Sequence, residues 1–305
     1  MDLETYTKSC LRRLGFKANR LRGQNFLIDD NALQTMVELA AISPSDIVIE
    51  IGTGLGVLTK SLAGRAKQIH TFEIERELYP FLDSELAGLE NVTLQRKSFN
   101  KYSFGELLDE IAGVLQDGKV KIVANLPYQI SSLFIQTIIE YSEWISLACV
   151  MLQREVALRL AAEPGDPSYG SLTVFVQTWF EVELAAEVPP ASFLPAPKVT
   201  SSIVRFAPIL SDKLSTPPDS FEKLVRGLFR HRRKTALNAL MRAFPHLGHE
   251  KAKAIFGLSG VDPHLRPDML GRNELLALAT AYGATMRSSL DTDGEAMETL
   301  EEASK

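Results

Sequence analysis

The chain has 305 residues, 45% of them hydrophobic and 23% charged, with a formal net charge of −5. Those proportions suit a globular protein with a sizeable core and exclude a fibrous or wholly disordered chain. No stretch of about twenty apolar residues occurs, so no membrane-spanning helix is expected. Cys10 and Cys149 are too few for a disulfide framework or a zinc site, so no metal is expected and a reducing cytoplasm is the expected compartment.

The length favours one large domain followed by a smaller one. Residues 1–28 read as a basic N-terminal arm carrying Lys8, Arg12, Arg13, Lys17, Arg20 and Arg22, with no apolar leader core after them. Residues 29–208 alternate between two periods. Asp46–Ile51, Gln68–Ile74, Val92–Leu94, Val120–Ala124 and Leu147–Leu152 are rich in Val, Ile and Leu and predict strands. Val57–Ala63, Glu77–Leu86, Phe104–Leu115 and Ser132–Tyr141 are amphipathic and predict helices between them. Strand–helix alternation implies an α/β fold with a doubly wound, largely parallel sheet. Tyr169–Trp179 predicts a further helix, and Val182–Val188 with Ser202–Phe206 a closing antiparallel pair. Pro208–Ser220 reads as a linker, residues 221–283 as a small helical domain, and the acidic residues 288–305 as a disordered tail.

Charge is unevenly placed. The tail beyond Met286 sets six acidic residues against Arg287 and Lys305, and so holds most of the net negative charge. On the nearly neutral remainder, basic residues gather in the N-terminal arm and at Arg226, Arg230, His231, Arg232, Arg233 and Lys234. Either cluster alone reads better as a solvated helix face, but the two flanking a candidate base pocket suit phosphate binding.

Two motifs follow apolar strands, where ligands of α/β sheets bind. Glu50-Ile51-Gly52-Thr53-Gly54-Leu55-Gly56 forms a tight strand-to-helix turn open to close approach. Its spacing differs from the dinucleotide fingerprint, and nothing resembles a P-loop lysine. Glu73 lies 21 residues after Gly52, where doubly wound folds place an acid on ribose hydroxyls. S-adenosylmethionine has a ribose and an adenine but no pyrophosphate, and Glu50 beside the turn suits its cationic end. The second motif, Asn125-Leu126-Pro127-Tyr128, places an amide, backbone carbonyls and an aromatic ring together. Those parts can stack a base and accept from its exocyclic amine.

With these residues the chain resembles the ribosomal RNA adenine N6,N6-dimethyltransferases of the KsgA type. The resemblance also rests on Gln24-Asn25-Phe26-Leu27, Tyr169-Gly170-Ser171-Leu172, Phe193-Leu194-Pro195-Ala196-Pro197-Lys198-Val199 and Arg232–Asn238, in family order. It implies a Rossmann-like sheet with a C-terminal helical domain, and dimethylation by S-adenosylmethionine of two adjacent adenosines in 16S ribosomal RNA. It further implies that Asn25, Leu27, Gly52, Glu73, Ile74, Ser98 and Asn125 form the cofactor site. Asn125 and the Leu126 carbonyl would hold the target amine, with Tyr128 and Phe193 sandwiching its ring; prolines around Phe193 suggest an exposed, stiff loop. Arg12, Arg13, Arg22, Lys198, Arg230, Arg232, Arg233 and Lys234 would grip RNA in an immature ribosomal subunit, the protein acting as a monomer. One departure stands out. Ser98 occupies the position where the family has an Asp that accepts from the cofactor adenine amine.

Three alternatives stay open. A sister enzyme acting on large-subunit RNA shares the catalytic half, but Pro197-Lys198-Val199 and Arg232–Asn238 favour the small-subunit enzyme. A non-catalytic nucleic-acid factor is disfavoured by the intact Asn125–Tyr128. A small-molecule methyltransferase leaves both basic clusters unexplained.

Overall fold

The computed structural model describes residues 2–18, 23–115, 118–209 and 219–302, with side chains as far as 287. Within the basic N-terminal arm lies a helix, α1 (Leu3–Leu14). Asp2 caps it by accepting from Thr5 N at 2.7 Å, and Gly15 ends it in the left-handed conformation at φ 60°. Leu3, Thr7 and Cys10, at helical spacing, form its buried stripe. Arg12 and Arg13 on the same helix are exposed.

After a short strand β1 (Phe26–Leu27), α2 (Asp30–Leu39) starts at Asp29, whose carboxylate accepts from the Asn31 and Ala32 amides. The alternation then runs β2 (Ile47–Ile51), α3 (Val57–Ala63), β3 (Gln68–Phe72), α4 (Tyr79–Leu86), β4 (Val92–Gln95), α5 (Lys101–Ile111), β5 (Val120–Asn125), α6 (Ser131–Glu140) and β6 (Ile145–Gln153). Next come α7 (Arg154–Leu160), α8 (Ser171–Trp179), β7 (Phe180–Val188), β8 (Phe193–Leu194) and β9 (Ser201–Pro208). Seven strands form one sheet in the order β4-β3-β2-β5-β6-β9-β7, parallel from β4 to β6 and antiparallel beyond. Every residue of β2 is buried, as expected for a parallel strand covered on both faces. β1 and β8 make a separate antiparallel pair, with Phe26 opposite Leu194 and Leu27 opposite Phe193.

Two units emerge, Met1–Leu158 with Trp179–Pro208, and Arg159–Thr178 with Ile209–Lys305. The units divide after Pro208, but residues 159–178 cluster with the C-terminal helices rather than with the rest of residues 29–208. Ala162, Tyr169 and Val174 bury themselves with α9 (Phe221–Arg230), α10 (Ala236–Ala243), α11 (Gly248–Ser259) and α12 (Arg272–Glu302). Tyr169 is 1% exposed and donates to the Leu270 carbonyl at 3.0 Å. Most of the expected linker lies outside the described residues. The backbone of α12 runs into the tail expected to lack order, whose Glu, Ala, Met and Leu are good helix formers.

Candidate active site

Both motifs reach the carboxyl edge of the parallel strands. β2 and β5 are neighbours with Glu50 level with Val123, so Gly52 and Asn125 leave the sheet side by side. Gly52 adopts φ 85°, and a Cβ there would stand 3.4 Å from Pro127 Cδ. That distance is an ordinary van der Waals contact, so it is the positive φ, not lack of space, that calls for glycine beside the Asn125–Tyr128 segment. Between them lies a cavity of about 690 Å³ whose lining includes Asn25, Gly52, Glu73, Ser98, Asn125 and Tyr128.

Asn125 donates from Nδ2 to the Asn25 carbonyl at 3.2 Å. A carbonyl can only accept, so this bond fixes which way the amide faces and leaves Oδ1 as a free acceptor among the described residues. Leu126 lines the cavity with its side chain buried. Tyr128 is half-buried and shares a 2.6 Å bond with the Ser201 hydroxyl. Burial pushes its phenol above the ordinary range, although the Ser201 bond opposes the shift. Asn25 and Leu27 are positioned through β1, and both line the cavity.

Of the acids that line the cavity, Glu50 and Glu73 are held in different ways. Glu50 is fully buried; Oε2 accepts from Thr59 Oγ1 at 2.6 Å, while Oε1 has no partner among the described residues. Burial raises its pKa to about 7, with the nearby Glu73 carboxylate adding to the effect. Glu73 accepts from Gly54 N at 2.9 Å, Ile74 N at 2.9 Å and Glu75 N at 2.8 Å. Desolvation lifts its pKa, against the pull of those three amides. Its carboxylate retains capacity for further donors. Beside it Ile74 is 61% exposed, an apolar face at the cavity wall.

Ser98 also lines the cavity and is exposed. Its hydroxyl makes only a 3.4 Å contact, to the Phe99 carbonyl, whereas its own carbonyl accepts from Ser103 Oγ at 2.9 Å. The Asn100–Ser103 capping box of α5 thus fixes the turn and leaves the hydroxyl uncommitted. The neighbouring cations are engaged, Lys97 with Glu106 at 3.3 Å and Arg96 with Asp83.

Phe193 is not brought to the cavity. It is 2% exposed and packs in the core with Leu27 and Ile203, rather than standing on an exposed loop. The proline-flanked segment pairs as β8 with β1, and that pairing turns the ring inward. Arg12 and Arg13 are exposed on α1, Arg13 bonding Glu85 at 3.1 Å, and Lys198 is exposed. Arg22 lies outside the described residues. In the second unit Arg230, Arg233 and Lys234 are exposed, but Arg232 is tied to Asp268 at 3.3 Å and to the Pro167 carbonyl at 3.2 Å. Thr7, from α1, also lines the cavity, a residue that only recognition of Leu3, Thr7 and Cys10 as a helical stripe would have revealed.

Residues 15–264 match the sequence model of a family described as ribosomal RNA adenine dimethylase. The chain is 38% identical over 275 residues to the ribosomal RNA small subunit methyltransferase A of Clostridium botulinum strain Okra, covering 88% of this chain and 95% of that protein. Among solved structures it resembles a dimethyladenosine transferase from Plasmodium falciparum, with TM-score 0.70, 28% identity and coverage of 85% and 98% respectively. It also resembles the 23S rRNA methyltransferase ErmE, with TM-score 0.64, 25% identity and coverage of 84% and 99%.

Proposed function

The chain belongs to the ribosomal RNA adenine dimethylase family, and on that premise we propose that it dimethylates the N6 amines of two adjacent adenosines in 16S ribosomal RNA, with S-adenosylmethionine as donor, during ribosome biogenesis. The observation that carries this reading is the free Oδ1 of Asn125 beside the glycine turn, inside one cavity.

The residues present fit such a cofactor. Glu50 offers an unpartnered carboxylate oxygen to an ammonium group, Glu73 offers acceptor capacity to ribose hydroxyls, and Ile74 offers an apolar face to a purine. When bound, the cofactor supplies an electrophilic methyl group. The chain's own contribution is positioning and hydrogen bonding. An adenine amine is a poor nucleophile because its lone pair is delocalised into the ring. Asn125 Oδ1 and the Leu126 carbonyl accept the two amine hydrogens and favour a pyramidal nitrogen. Tyr128 supplies one stacking face and limits rotation of the base. No strong general base is needed, because the nitrogen becomes acidic only once alkylated. Phe193, buried and paired with Leu27, belongs to the strand pair that follows directly on Asn25. The base must leave its stack to enter, so the target is a loop or flipped nucleotide. Arg12, Arg13, Lys198, Arg230, Arg233 and Lys234 are exposed and suit phosphate contacts around it.

The test is transfer of labelled methyl groups to immature small subunits, with the modified bases mapped. Label on adjacent adenosines of 16S RNA supports the proposal. Label confined to 23S RNA favours the sister activity, and absence of label on either subunit favours a non-catalytic role.

A further inference from the structure

Thr7 has a fully buried side chain whose Oγ1 finds no hydrogen-bond partner among the described residues. Buried hydroxyls are rarely left so. Several other helical threonines in this chain bond the carbonyl four residues back. Thr35 bonds Asn31 O at 2.8 Å, Thr137 bonds Leu133 O at 2.9 Å, and Thr178 bonds Val174 O at 2.7 Å. Thr7 makes no such bond to Leu3, and it lines the cavity described above.

The position of α1 is firmly set. Leu3 N donates to Asp30 Oδ2 at 3.2 Å, and Tyr6 donates to Glu85 at 2.9 Å while accepting from Lys60 at 3.0 Å. Cys10 packs in a cluster with Leu55, Leu78 and Leu82. Thr7 therefore sits between the start of α2 and the residue that follows Gly54. That is beside the glycine turn, whose Gly54 amide also donates to Glu73 at 2.9 Å. The family match begins at residue 15, so it does not account for α1.

We propose that Thr7 is a cofactor-binding residue, its hydroxyl donating to the carboxylate of the cofactor's amino-acid end and making α1 part of the binding site. Glu50 already supplies an anion for the ammonium group, and a carboxylate needs donors, which a threonine hydroxyl provides. The inference rests on the S-adenosylmethionine reading above.

Calorimetric titration of the full chain separates the two. The probes are S-adenosylhomocysteine and 5′-methylthioadenosine, which share a nucleoside thioether but differ in the amino-acid end. Thr7→Val keeps the shape and removes the hydroxyl. It is expected to weaken S-adenosylhomocysteine binding about tenfold and leave 5′-methylthioadenosine within about twofold, while Thr7→Ser retains both. Unchanged S-adenosylhomocysteine affinity in Thr7→Val overturns the proposal, and so does equal weakening of both probes, which would report a merely displaced helix. If the wild type binds neither probe, the cofactor reading itself falls.

Discussion

Asn125 Nδ2 donates to the Asn25 carbonyl at 3.2 Å, joining residues 100 apart in sequence. This one bond orients the amide so that its oxygen, the atom that can accept from an adenine amine, is left free. Asn125→Ala removes that acceptor and is expected to lower methyl transfer by about 10²–10³-fold, typical of a lost transition-state hydrogen bond. Asn125 is only half-buried, so the melting temperature should hold. Incorporation of labelled methyl into small subunits checks the first point and thermal unfolding the second; transfer near the wild-type rate would remove Asn125 from the reaction.

Glu50 brings a pH dependence. Its folded pKa is raised from 4.5 to about 7 by burial. The folded state therefore holds the proton more tightly than the unfolded chain. The associated stability is complete below about pH 4.5 and is lost as pH rises through about 7. Glu50→Gln keeps an acceptor for Thr59, so it should stabilise the ligand-free protein at pH 8 by up to about 3 kcal/mol. The same change should weaken cofactor binding, most clearly above pH 7 where the wild-type carboxylate is charged. Denaturation and titration at pH 6 and pH 8 measure both effects, and a mutant less stable than wild type at pH 8 would contradict the first.

Ser98 has an uncommitted hydroxyl in the cavity, at the position where the family resemblance leads one to expect a carboxylate. Bonds to an ionised acceptor are stronger by roughly 1 kcal/mol. Ser98→Asp should therefore tighten cofactor binding about fivefold. Equal or weaker binding in a titration would show that this position does not meet the cofactor amine.

Arg232 and Arg233 are adjacent but should behave differently. Arg232 is half-buried and tied to Asp268 and the Pro167 carbonyl. Arg232→Ala is expected to cost about 1 kcal/mol of stability. Arg233 is exposed, and Arg233→Ala should reduce the slope of log affinity against log salt for RNA by about one, with no change in melting. An unaltered slope would remove Arg233 from the interface.

Phe193 is a core residue in this structure, 2% exposed against Leu27. Phe193→Ala should cost about 3–5 kcal/mol in denaturant unfolding. Because Leu27 pairs with Phe193, cofactor binding should weaken as well. A loss of stability below about 1 kcal/mol would mean that the ring is not packed as described.

The sequence by itself determined the alternating strands and helices, the parallel sheet with its antiparallel close, and the two motifs at its edge. Those features are local. A run of β-branched residues, a glycine turn or an Asn-Leu-Pro-Tyr segment carries its geometry in its own side chains. Tertiary structure decided what depends on distant partners. The ring of Phe193 turned inward because β8 found β1, and Arg232 lost its freedom to Asp268. Residues 159–178 joined the C-terminal helices because their apolar side chains bury there. Within the N-terminal arm Leu3–Leu14 form a helix with Thr7 at the cavity, its buried stripe packing against residues of α3 and α4. Burial, and with it the raised pKa of Glu50, is a property of neighbours that no stretch of sequence contains.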